Sequence, residues 1–288
     1  MFVSSNTLDA VKGYFYDRLN PLFSASELRQ MFFQVTEHLL KLRKEEVLLQ
    51  KDIRLSESDL LNYRSVVKRL LAHEPFQHII GSTYFCDLLL KTDHRALVPR
   101  PETEELVYEI IHRLDVDKPL KILDLCTGTG CIALALKSAL KEAKVYGIDI
   151  SETALTLAQE NQEATQLDVH FFLGDVLSDF KLQDEKEFDV WVSNPPYIPW
   201  KEKTSMAENV VLFEPELALF VEDEDPLQFY LKIAELGLVY LKKDGLLAFE
   251  IHENYGDDMV NMLKGLHYHS IELKKDLQGK NRMMFAKK

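Results

Sequence analysis

The stretch Lys121-Ile-Leu-Asp-Leu-Cys-Thr-Gly-Thr-Gly130 decides the fold class of this 288-residue chain. Its first half is a short apolar run typical of a buried strand, and its second half is a glycine-rich turn. The apolar segment 131–140, predicted to be a helix, follows at once. A strand, a tight turn and a helix form a unit that binds a nucleotide-like ligand at the turn. Because Gly128-x-Gly130-x-x-Ala133 also fits the dinucleotide fingerprint, the turn alone does not name that ligand.

Strands and helices alternate through the rest of the chain. Strands are predicted at 144–150, 170–175, 188–194, 245–251, 269–277 and 282–288, and helices at 151–161 and 225–241. Such alternation is typical of an α/β fold, in which helices cover both faces of a mostly parallel sheet. Ligands of these sheets bind beyond the carboxyl ends of the strands, so the residues that follow each strand are the candidates for the site.

The first 75 residues predict a small helical bundle. Apolar residues recur at the spacing of one helix face from Leu8 to Leu19, and Ser24-Ala-Ser-Glu27 has the form of a capping box ahead of a second helix. A third helix is predicted to end before Pro75. We therefore predict three parts: a helical substrate-docking domain at 1–75, a β-hairpin linker at 76–98 and a catalytic domain at 99–288.

Composition and charge restrict the function. The net charge is −13, of which residues 1–75 contribute +1 and the remainder −14. Proteins that bind nucleic acid usually carry a basic patch or stripe, so this charge counts against direct nucleic-acid binding. Neither a membrane span nor a signal peptide is predicted, which favours a cytoplasmic protein, with a monomer as the default. Cys86, Cys126 and Cys131 lack the spacing of a zinc site or a disulfide pair, and we predict no metal.

Acidic residues end the second and third predicted strands of the sheet. Asp149 stands nineteen residues beyond Gly130, where a carboxylate can accept both hydroxyls of a ribose; a helix cap is the alternative. Asp175 and the backbone of Val176 are predicted to meet an adenine edge, with a simple turn as the alternative. Asp124, inside the turn, either holds the loop amides or approaches the ligand's amino group.

The tetrapeptide Asn194-Pro195-Pro196-Tyr197 follows the fourth predicted strand and favours methyl transfer over hydride transfer. Consecutive prolines lack N–H groups and have a fixed φ, so the Pro195 carbonyl is held rigidly. That carbonyl and the Asn194 side-chain oxygen can each accept one proton of an NH₂ group, which aims the nitrogen lone pair at the methyl group of S-adenosylmethionine. Tyr197 is predicted to pack on the planar acceptor. The predicted catalytic residues are therefore Asn194, Pro195 and Tyr197, and the second product is S-adenosylhomocysteine.

The chain closely resembles the bacterial release factor glutamine methyltransferases, which methylate the glutamine of the Gly-Gly-Gln loop in peptide-chain release factors. The resemblance covers most of residues 70–288. It rests on the segments Glu74–Gly81, Val98–Glu104, Asp124–Gly130, Gly147–Asp149, Val192–Ile198 and Phe213–Leu219. The PRPETE and FEP sequences separate this family from the DNA adenine methyltransferases that share NPPY. The resemblance implies a Rossmann-like class I methyltransferase sheet whose last strand is antiparallel.

The resemblance also implies which residues form the site. S-adenosylmethionine would bind Cys126, Thr127, Gly128, Thr129, Gly130, Asp149, Asp175, Val176 and Asn194, with Phe85 and Arg100 lining its pocket, and the glutamine would bind Asn194, Pro195, Pro196 and Tyr197. The family usually has glycine where this chain has Cys126. Because cysteine is strained at positive φ, we expect a negative φ there and a modest change in loop packing.

These observations favour an enzyme that methylates the Gly-Gly-Gln glutamine of one or both release factors, with the helical bundle docking the factor. Methylation of a glutamine in a ribosomal protein would use the same chemistry and differ in docking. Methylation of adenine in nucleic acid would need a basic channel and extrusion of the base. A cofactor-binding module without catalytic activity is the non-enzymatic alternative, and the intact NPPY sequence counts against it.

Overall fold

The computed structural model describes residues 3–49, 53–115, 117–178 and 187–288. The chain forms two compact units: Met1–Gly81 with Ala207–Phe213, and Ser82–Met206 with Glu214–Lys288. The first unit therefore extends beyond the predicted boundary at residue 75, because Phe76, Ile79 and Ile80 pack with the apolar core of the helices. None of the described helices is long and apolar enough to cross a membrane.

The first unit is helical. Its helices are α1 (Leu8–Leu19), α2 (Ala25–Leu40), α3 (Lys44–Leu49), α4 (Glu57–Leu71) and α5 (Phe76–Ile80). The predicted face of α1 is buried at Leu8, Val11, Phe15 and Leu19, and the predicted capping box at Ser24 is formed, because its side chain accepts from the Glu27 amide while the Glu27 carboxylate accepts from the Ser24 amide. The sequence prediction missed α3 and α5, which have only six and five residues.

The second unit contains a seven-stranded sheet and two short strand pairs. Its strands are β1 (Ser82–Phe85), β2 (Leu88–Lys91), β3 (Lys121–Leu125), β4 (Lys144–Asp149), β5 (Val169–Leu173), β6 (Phe188–Ser193), β7 (Ile198–Pro199), β8 (Phe220–Val221), β9 (Leu241–Glu250), β10 (His269–Lys275) and β11 (Asn281–Lys287). The large sheet has the order β10-β11-β9-β6-β3-β4-β5. Within it β11 pairs antiparallel with both neighbours, and the pairings from β9 to β5 are parallel. The predicted sheet, including its antiparallel last strand, is confirmed.

Helices cover the sheet and bury an apolar core on both faces. They are α6 (Pro101–Arg113), α7 (Cys131–Ala139), α8 (Glu152–Thr165), α10 (Gln228–Tyr240) and α11 (Gly256–Gly265), while α9 (Glu208–Phe213) belongs to the helical unit. One core contains α6 and α7 with Ile122 and Val190, and the other contains α10 and α11 with Leu123 and Trp191. Alternate residues of β3 and β6 thus point to opposite faces, as strand geometry requires.

The predicted hairpin is present as β1 and β2, which pair antiparallel with Phe85 opposite Leu88. The two residues between them, Cys86 and Asp87, have φ values of 44° and 64°. Two consecutive residues with positive φ make the type of tight turn that matches the twist of the flanking strands.

The strand order places the candidate residues together. β3 lies between β4 and β6, and the chain leaves β3 toward β4 and β5 on one side and β6 on the other. Crevices form where the connections diverge in this way, beyond the carboxyl ends of the strands. The loops that follow β3, β4, β5 and β6 carry the glycine turn, Asp149, Asp175 and Asn194.

Candidate active site

A cleft of about 1160 Å³, including its open mouth, lies at the carboxyl ends of these strands. It is lined by Arg95–Arg100, Thr103, Cys126–Thr129, Cys131, Ile132, Asp149–Ser151, Ala154, Gly174–Leu177, Asn194, Pro196, Pro215, Leu217, Ala218 and Phe229. The lining is mostly apolar with a few polar groups at one side, which is typical of a small-molecule site. Among the described residues, no cluster of three or more histidine, cysteine, aspartate or glutamate side chains has the arrangement of a metal site.

The glycine turn after β3 has a left-handed backbone at three positions. Cys126, Gly128 and Gly130 have φ values of 61°, 55° and 78°. The expectation of a negative φ at Cys126 is therefore wrong: the loop keeps the backbone conformation that favours glycine, and cysteine adopts it at a cost of about 1 to 2 kcal/mol. The turn is closed by hydrogen bonds, since the Gly130 amide donates to the Thr127 carbonyl and the Thr127 amide donates to the Ile148 carbonyl.

Asp124 supports this turn through hydrogen bonds. Its Oδ2 accepts from the Thr127 hydroxyl at 2.5 Å and from the Ala133 amide at 3.3 Å, which ties the loop to the start of α7. The side chain is fully buried and is not among the groups that line the cleft. Burial raises the pKa of Asp124 to about 7. Of its two predicted roles, this geometry fits the support of the loop.

Asp149 lines the cleft and caps two backbone segments. Its Oδ2 accepts from the Gly128 amide at 2.8 Å, and its Oδ1 accepts from the Ser151 amide at 2.9 Å. Each carboxylate oxygen has a second lone pair, so these bonds leave capacity for two ligand hydroxyls. Burial raises the pKa of Asp149, and its hydrogen bonds from Ser151 and Gly128 oppose that shift. The cap of α8 is Ser151, whose hydroxyl accepts from the Ala154 amide, so the helix-cap alternative for Asp149 is wrong, and its ribose role stays a prediction.

Asp175 and Val176 lie at the far side of the cleft, after β5. The Asp175 Oδ1 accepts from the Leu177 amide at 2.9 Å, so its side chain shapes a turn. Val176 is buried and its neighbour Leu177 is exposed, and both line the cleft. The two aliphatic side chains provide an apolar surface suited to a flat ring.

Asn194 and Pro196 line the opposite part of the cleft, after β6. The Asn194 Nδ2 donates to the Thr103 hydroxyl at 3.3 Å, and the Thr103 hydroxyl donates to Glu250 at 2.6 Å. Tyr197 is half-buried and its hydroxyl donates to the other oxygen of Glu250 at 3.1 Å. Burial raises the pKa of Tyr197 strongly, and the Glu250 charge adds to the shift.

An ion pair joins two sequence segments that form another part of the cleft wall. The Arg100 guanidinium donates to Glu214 at 2.5 Å, and the Val98 amide donates to the second oxygen of the same carboxylate at 3.2 Å. Burial raises the pKa of Glu214, and the Arg100 charge opposes that shift. A buried carboxylate with a cation and an amide as partners fixes the backbone of residues 98–100, and it joins the PRPETE and FEP sequences in the folded chain.

Not every predicted site residue reaches the cleft. Phe85 is 1% exposed and packs in the core beneath α6, and it does not line the cleft. Gly130, Pro195 and Tyr197 are also outside the lining, although they belong to the loops that form it. A carbon atom added at Gly130 would lie 2.8 Å from the Phe171 ring, so this glycine is required by packing.

The sequence prediction missed several functional candidates. Thr103 and Glu214 lie within the PRPETE and FEP sequences, but no local pattern assigns a role to them or to Glu250. The signal in the sequence is the acidic Glu250 within the otherwise apolar stretch 245–251, which is predicted to be a strand. Arg95, Leu177 and Phe229 carry no local pattern that indicates a site, and only the folded chain brings them to the cleft.

The residues present fit a nucleoside ligand with a charged tail. Gly128 faces the cleft, and a carbon added there would point at Ala96, 4.0 Å away, and occupy space between the two walls. Asp149 supplies hydroxyl acceptors, and Val176 and Leu177 supply an apolar surface. These groups are of the kinds that would bind the ribose and the adenine of S-adenosylmethionine.

Family models and known proteins were compared with the chain. Residues 108–215 match the model described as methyltransferase small domain, and residues 32–81 match the PrmC N-terminal domain. A methyltransferase structure from Pyrococcus furiosus has a TM-score of 0.50 at 16% identity and covers 78% of this chain and 98% of its own. A T. thermophilus 16S rRNA methyltransferase, solved in complex with AdoMet and guanosine, also has a TM-score of 0.50, at 19% identity, covering 72% and 49%. These structures support the fold alone.

Curated relatives give a more specific result. The release factor glutamine methyltransferase of Flavobacterium psychrophilum is 39% identical over 280 residues, which cover 95% of this chain and 98% of the relative. The enzyme of the same name from Bacteroides thetaiotaomicron is 39% identical over 279 residues, covering 97% and 99%. With this identity over nearly its whole length, and with a methyltransferase sheet and cleft, the chain belongs to the release factor glutamine methyltransferase family.

Proposed function

We propose that this protein transfers a methyl group from S-adenosylmethionine to the side-chain amide nitrogen of the glutamine in the Gly-Gly-Gln loop of a peptide-chain release factor. The observation that carries the proposal is the position of Asn194 in the cleft wall with its amide nitrogen bonded to Thr103. That bond leaves the Asn194 oxygen as the acceptor for a substrate NH₂ group. We further propose that the protein acts in the cytoplasm as a monomer and that the helical unit docks the factor.

The residues of the chain position the two reactants and exclude water from the cleft. Asp149, the glycine turn and Val176 bind the donor, and Asn194 to Tyr197 bind the planar amide. S-adenosylmethionine supplies an electrophilic methyl group when bound. The Asn194 oxygen and the Pro195 carbonyl would each accept a hydrogen bond from the acceptor NH₂, which would leave the nitrogen lone pair free to attack the methyl group. As the nitrogen–methyl bond forms, the bond from that methyl group to sulfur would break, S-adenosylhomocysteine would leave, and the nitrogen would release its extra proton to solvent. Holding two reactants in attack geometry contributes up to about 7 to 11 kcal/mol.

The charge of the chain supports a protein substrate. Residues beyond 75 carry a net charge of −14, which disfavours a nucleic-acid backbone near the cleft. Asp149 and Asp175, which line the cleft, contribute to that unfavourable field. A protein loop with a small glycine-rich tip avoids this repulsion.

The test is direct methylation. The purified full chain, labelled S-adenosylmethionine and each cognate release factor are incubated, and the factor is digested and sequenced by mass spectrometry. We expect one methyl group on the Gly-Gly-Gln glutamine, and none when that glutamine is replaced by glutamate. Label found instead on a ribosomal-protein glutamine or on adenine in nucleic acid, with unmodified release factors, would overturn the proposal.

A further inference from the structure

The buried carboxylate of Glu250 has no role in the proposed function as stated above. It ends β9, and the parallel pairing of β6 with β9 sets Ser193 opposite Phe249, so Asn194 and Glu250 are the next residues at the same edge of the sheet. Glu250 is 2% exposed, as is Thr103 near the start of α6. Burial raises the pKa of Glu250, while its hydrogen bonds and the Arg282 charge oppose that shift.

The hydrogen bonds around Glu250 have a defined direction. An ionised carboxylate only accepts, so the hydroxyl protons of Thr103 and Tyr197 both point to Glu250. Because the Thr103 hydroxyl proton is donated to Glu250, the Thr103 oxygen can only accept a hydrogen bond from Asn194. The amide nitrogen is the only donor on the Asn194 side chain, so it is this nitrogen that faces Thr103. The Asn194 amide is therefore fixed in one of its two orientations. In the described part of the chain, no hydrogen bond to the Asn194 oxygen is found.

We propose that Glu250 and Thr103 are positioning residues that set the orientation of the Asn194 amide, so that its oxygen faces the acceptor NH₂, and that Glu250 fixes the Tyr197 ring through the same carboxylate. This inference rests on the proposed function and deepens it. The alternative orientation would present an NH₂ group to the substrate NH₂, and two donors cannot form a hydrogen bond. We call the hydrogen-bonded series Glu250, Thr103 and Asn194 the relay. The relay therefore selects a substrate group that donates a hydrogen bond.

The relay depends on an ionised Glu250. Burial disfavours that charge, and neighbouring groups oppose the effect of burial. Arg282, on β11, lies close enough for its charge to favour the carboxylate, and its own Nε donates to Asp276 at 3.2 Å. The Tyr230 hydroxyl donates to the Glu250 backbone carbonyl at 3.1 Å, which anchors the strand end. His252, two residues further, does not compete, because its Nδ1 accepts from the Asn254 amide and its Nε2 faces Glu202 at 3.1 Å.

The experiment compares Thr103→Val with Thr103→Ser in the full chain. Valine keeps the volume and removes the hydroxyl, whereas serine keeps the hydroxyl and removes the methyl group. We expect Thr103→Val to lower kcat for release-factor methylation about tenfold or more, and Thr103→Ser to stay within about threefold of the wild type. KM for the factor and the affinity for S-adenosylhomocysteine should change by less than about threefold in both variants, since the relay orients a reacting group and does not hold the ligand.

A second readout does not depend on the substrate. The side-chain amide of Asn194 is identified in an NMR spectrum as the cross-peak that Asn194→Ala lacks, and its hydrogen exchange is measured. One Nδ2 proton should be protected in the wild type and in Thr103→Ser, and unprotected in Thr103→Val. The exposed Thr156, whose hydroxyl bonds only within its own helix, provides the control: Thr156→Val should leave activity and exchange unchanged.

The outcomes separate the two proposals. Equal loss of kcat in the valine and serine variants, or unchanged exchange in Thr103→Val, would overturn the relay. If the wild-type protein leaves release factors unmethylated, the proposed function fails, and the exchange measurement still decides whether Thr103 and Glu250 orient Asn194.

Discussion

The two halves of the cleft are held in different ways. The donor half is built from backbone: the turn from Cys126 to Gly130 has three left-handed residues, and its Gly130 packs against Phe171 without space for a further carbon. The acceptor half is built from side chains: Asn194 is connected through Thr103 to the buried carboxylate of Glu250, and Tyr197 bonds to that carboxylate directly. Shape defines the first half, and the direction of hydrogen bonds defines the second.

This difference predicts which substitutions each half tolerates. A site defined by shape is sensitive to added volume, because closely packed interiors have few gaps. A site defined by hydrogen bonds is sensitive to the loss of one partner, because a buried polar group without a partner is costly. Substitutions in the donor half should therefore affect stability and affinity together, and substitutions in the acceptor half should affect turnover.

The acceptor half gives the largest expected effect. Asn194→Ala removes the oxygen that accepts from the substrate NH₂, and kcat should fall about 100- to 1,000-fold, as when a preorganised hydrogen-bonding group is deleted from other active sites. Steady-state kinetics with a release factor measures the change. Asn254→Ala, at an exposed position, serves as the control and should retain full activity. An Asn194→Ala enzyme with more than a tenth of the wild-type kcat would show that Asn194 does not have the proposed role in catalysis.

The donor half is tested by adding one carbon. In Gly130→Ala the new atom would lie 2.8 Å from the Phe171 ring and 3.2 Å from Ala158, at a φ of 78°. Overpacking and left-handed strain together should lower the free energy of unfolding by about 2 to 4 kcal/mol and weaken binding of S-adenosylhomocysteine. Chemical denaturation and calorimetry measure the two quantities. Gly13→Ala, in α1 with open space around it, should instead stabilise by about 0.5 to 1 kcal/mol. Equal effects of the two substitutions would contradict the packing argument.

The support of the donor loop should depend on pH. Because the pKa of Asp124 is raised from 3.8 to about 7, the folded protein retains this proton where the unfolded chain has lost it. Stability from this group is fully present below the unfolded pKa and decreases as the pH rises from about 4 to 7, by on the order of 4 kcal/mol. The pKa values of three further groups, Asp149, Glu214 and Glu250, are also raised, so these groups likewise lower the stability as the pH rises.

The variant Asp124→Asn measures how much of this pH dependence of stability comes from Asp124. Its amide oxygen can keep the bonds from Thr127 and Ala133, and it does not titrate. Unfolding by denaturant at pH 5 and at pH 8 should show a smaller difference between the two pH values in the variant than in the wild type. An identical difference would show that Asp124 is ionised in the folded protein at both pH values.

The smallest effect concerns Cys126, which has a left-handed backbone in the glycine turn. At a negative φ, a protein with alanine at the position is more stable than one with glycine, and at a positive φ the order reverses. With a φ of 61° at position 126, Cys126→Gly should be about 1 kcal/mol more stable than Cys126→Ala. Thermal or denaturant unfolding of the two variants measures the order directly. A more stable Cys126→Ala would mean that the loop has moved away from the left-handed region.

The sequence by itself determined the sheet and the location of the site. Alternating strands and helices predicted a parallel arrangement, and the residues that follow β3, β4, β5 and β6 were identified because the ends of parallel strands must meet at one edge. The helical character of the N-terminal part also followed from local periodicity and the cap at Ser24. These features depend on residues close in the chain.

Only the tertiary structure decided how the site is supported. The left-handed φ at Cys126 went against the local preference of cysteine, because bonds from Asp124 and the packing of Phe171 fix the turn around it. Phe85 was predicted at the pocket, yet it fills the core. Thr103 and Glu250 are 147 residues apart, and no local pattern indicates that they share a hydrogen bond. The direction of a hydrogen bond depends on which groups meet after folding, so the orientation of Asn194 is a property of the folded chain.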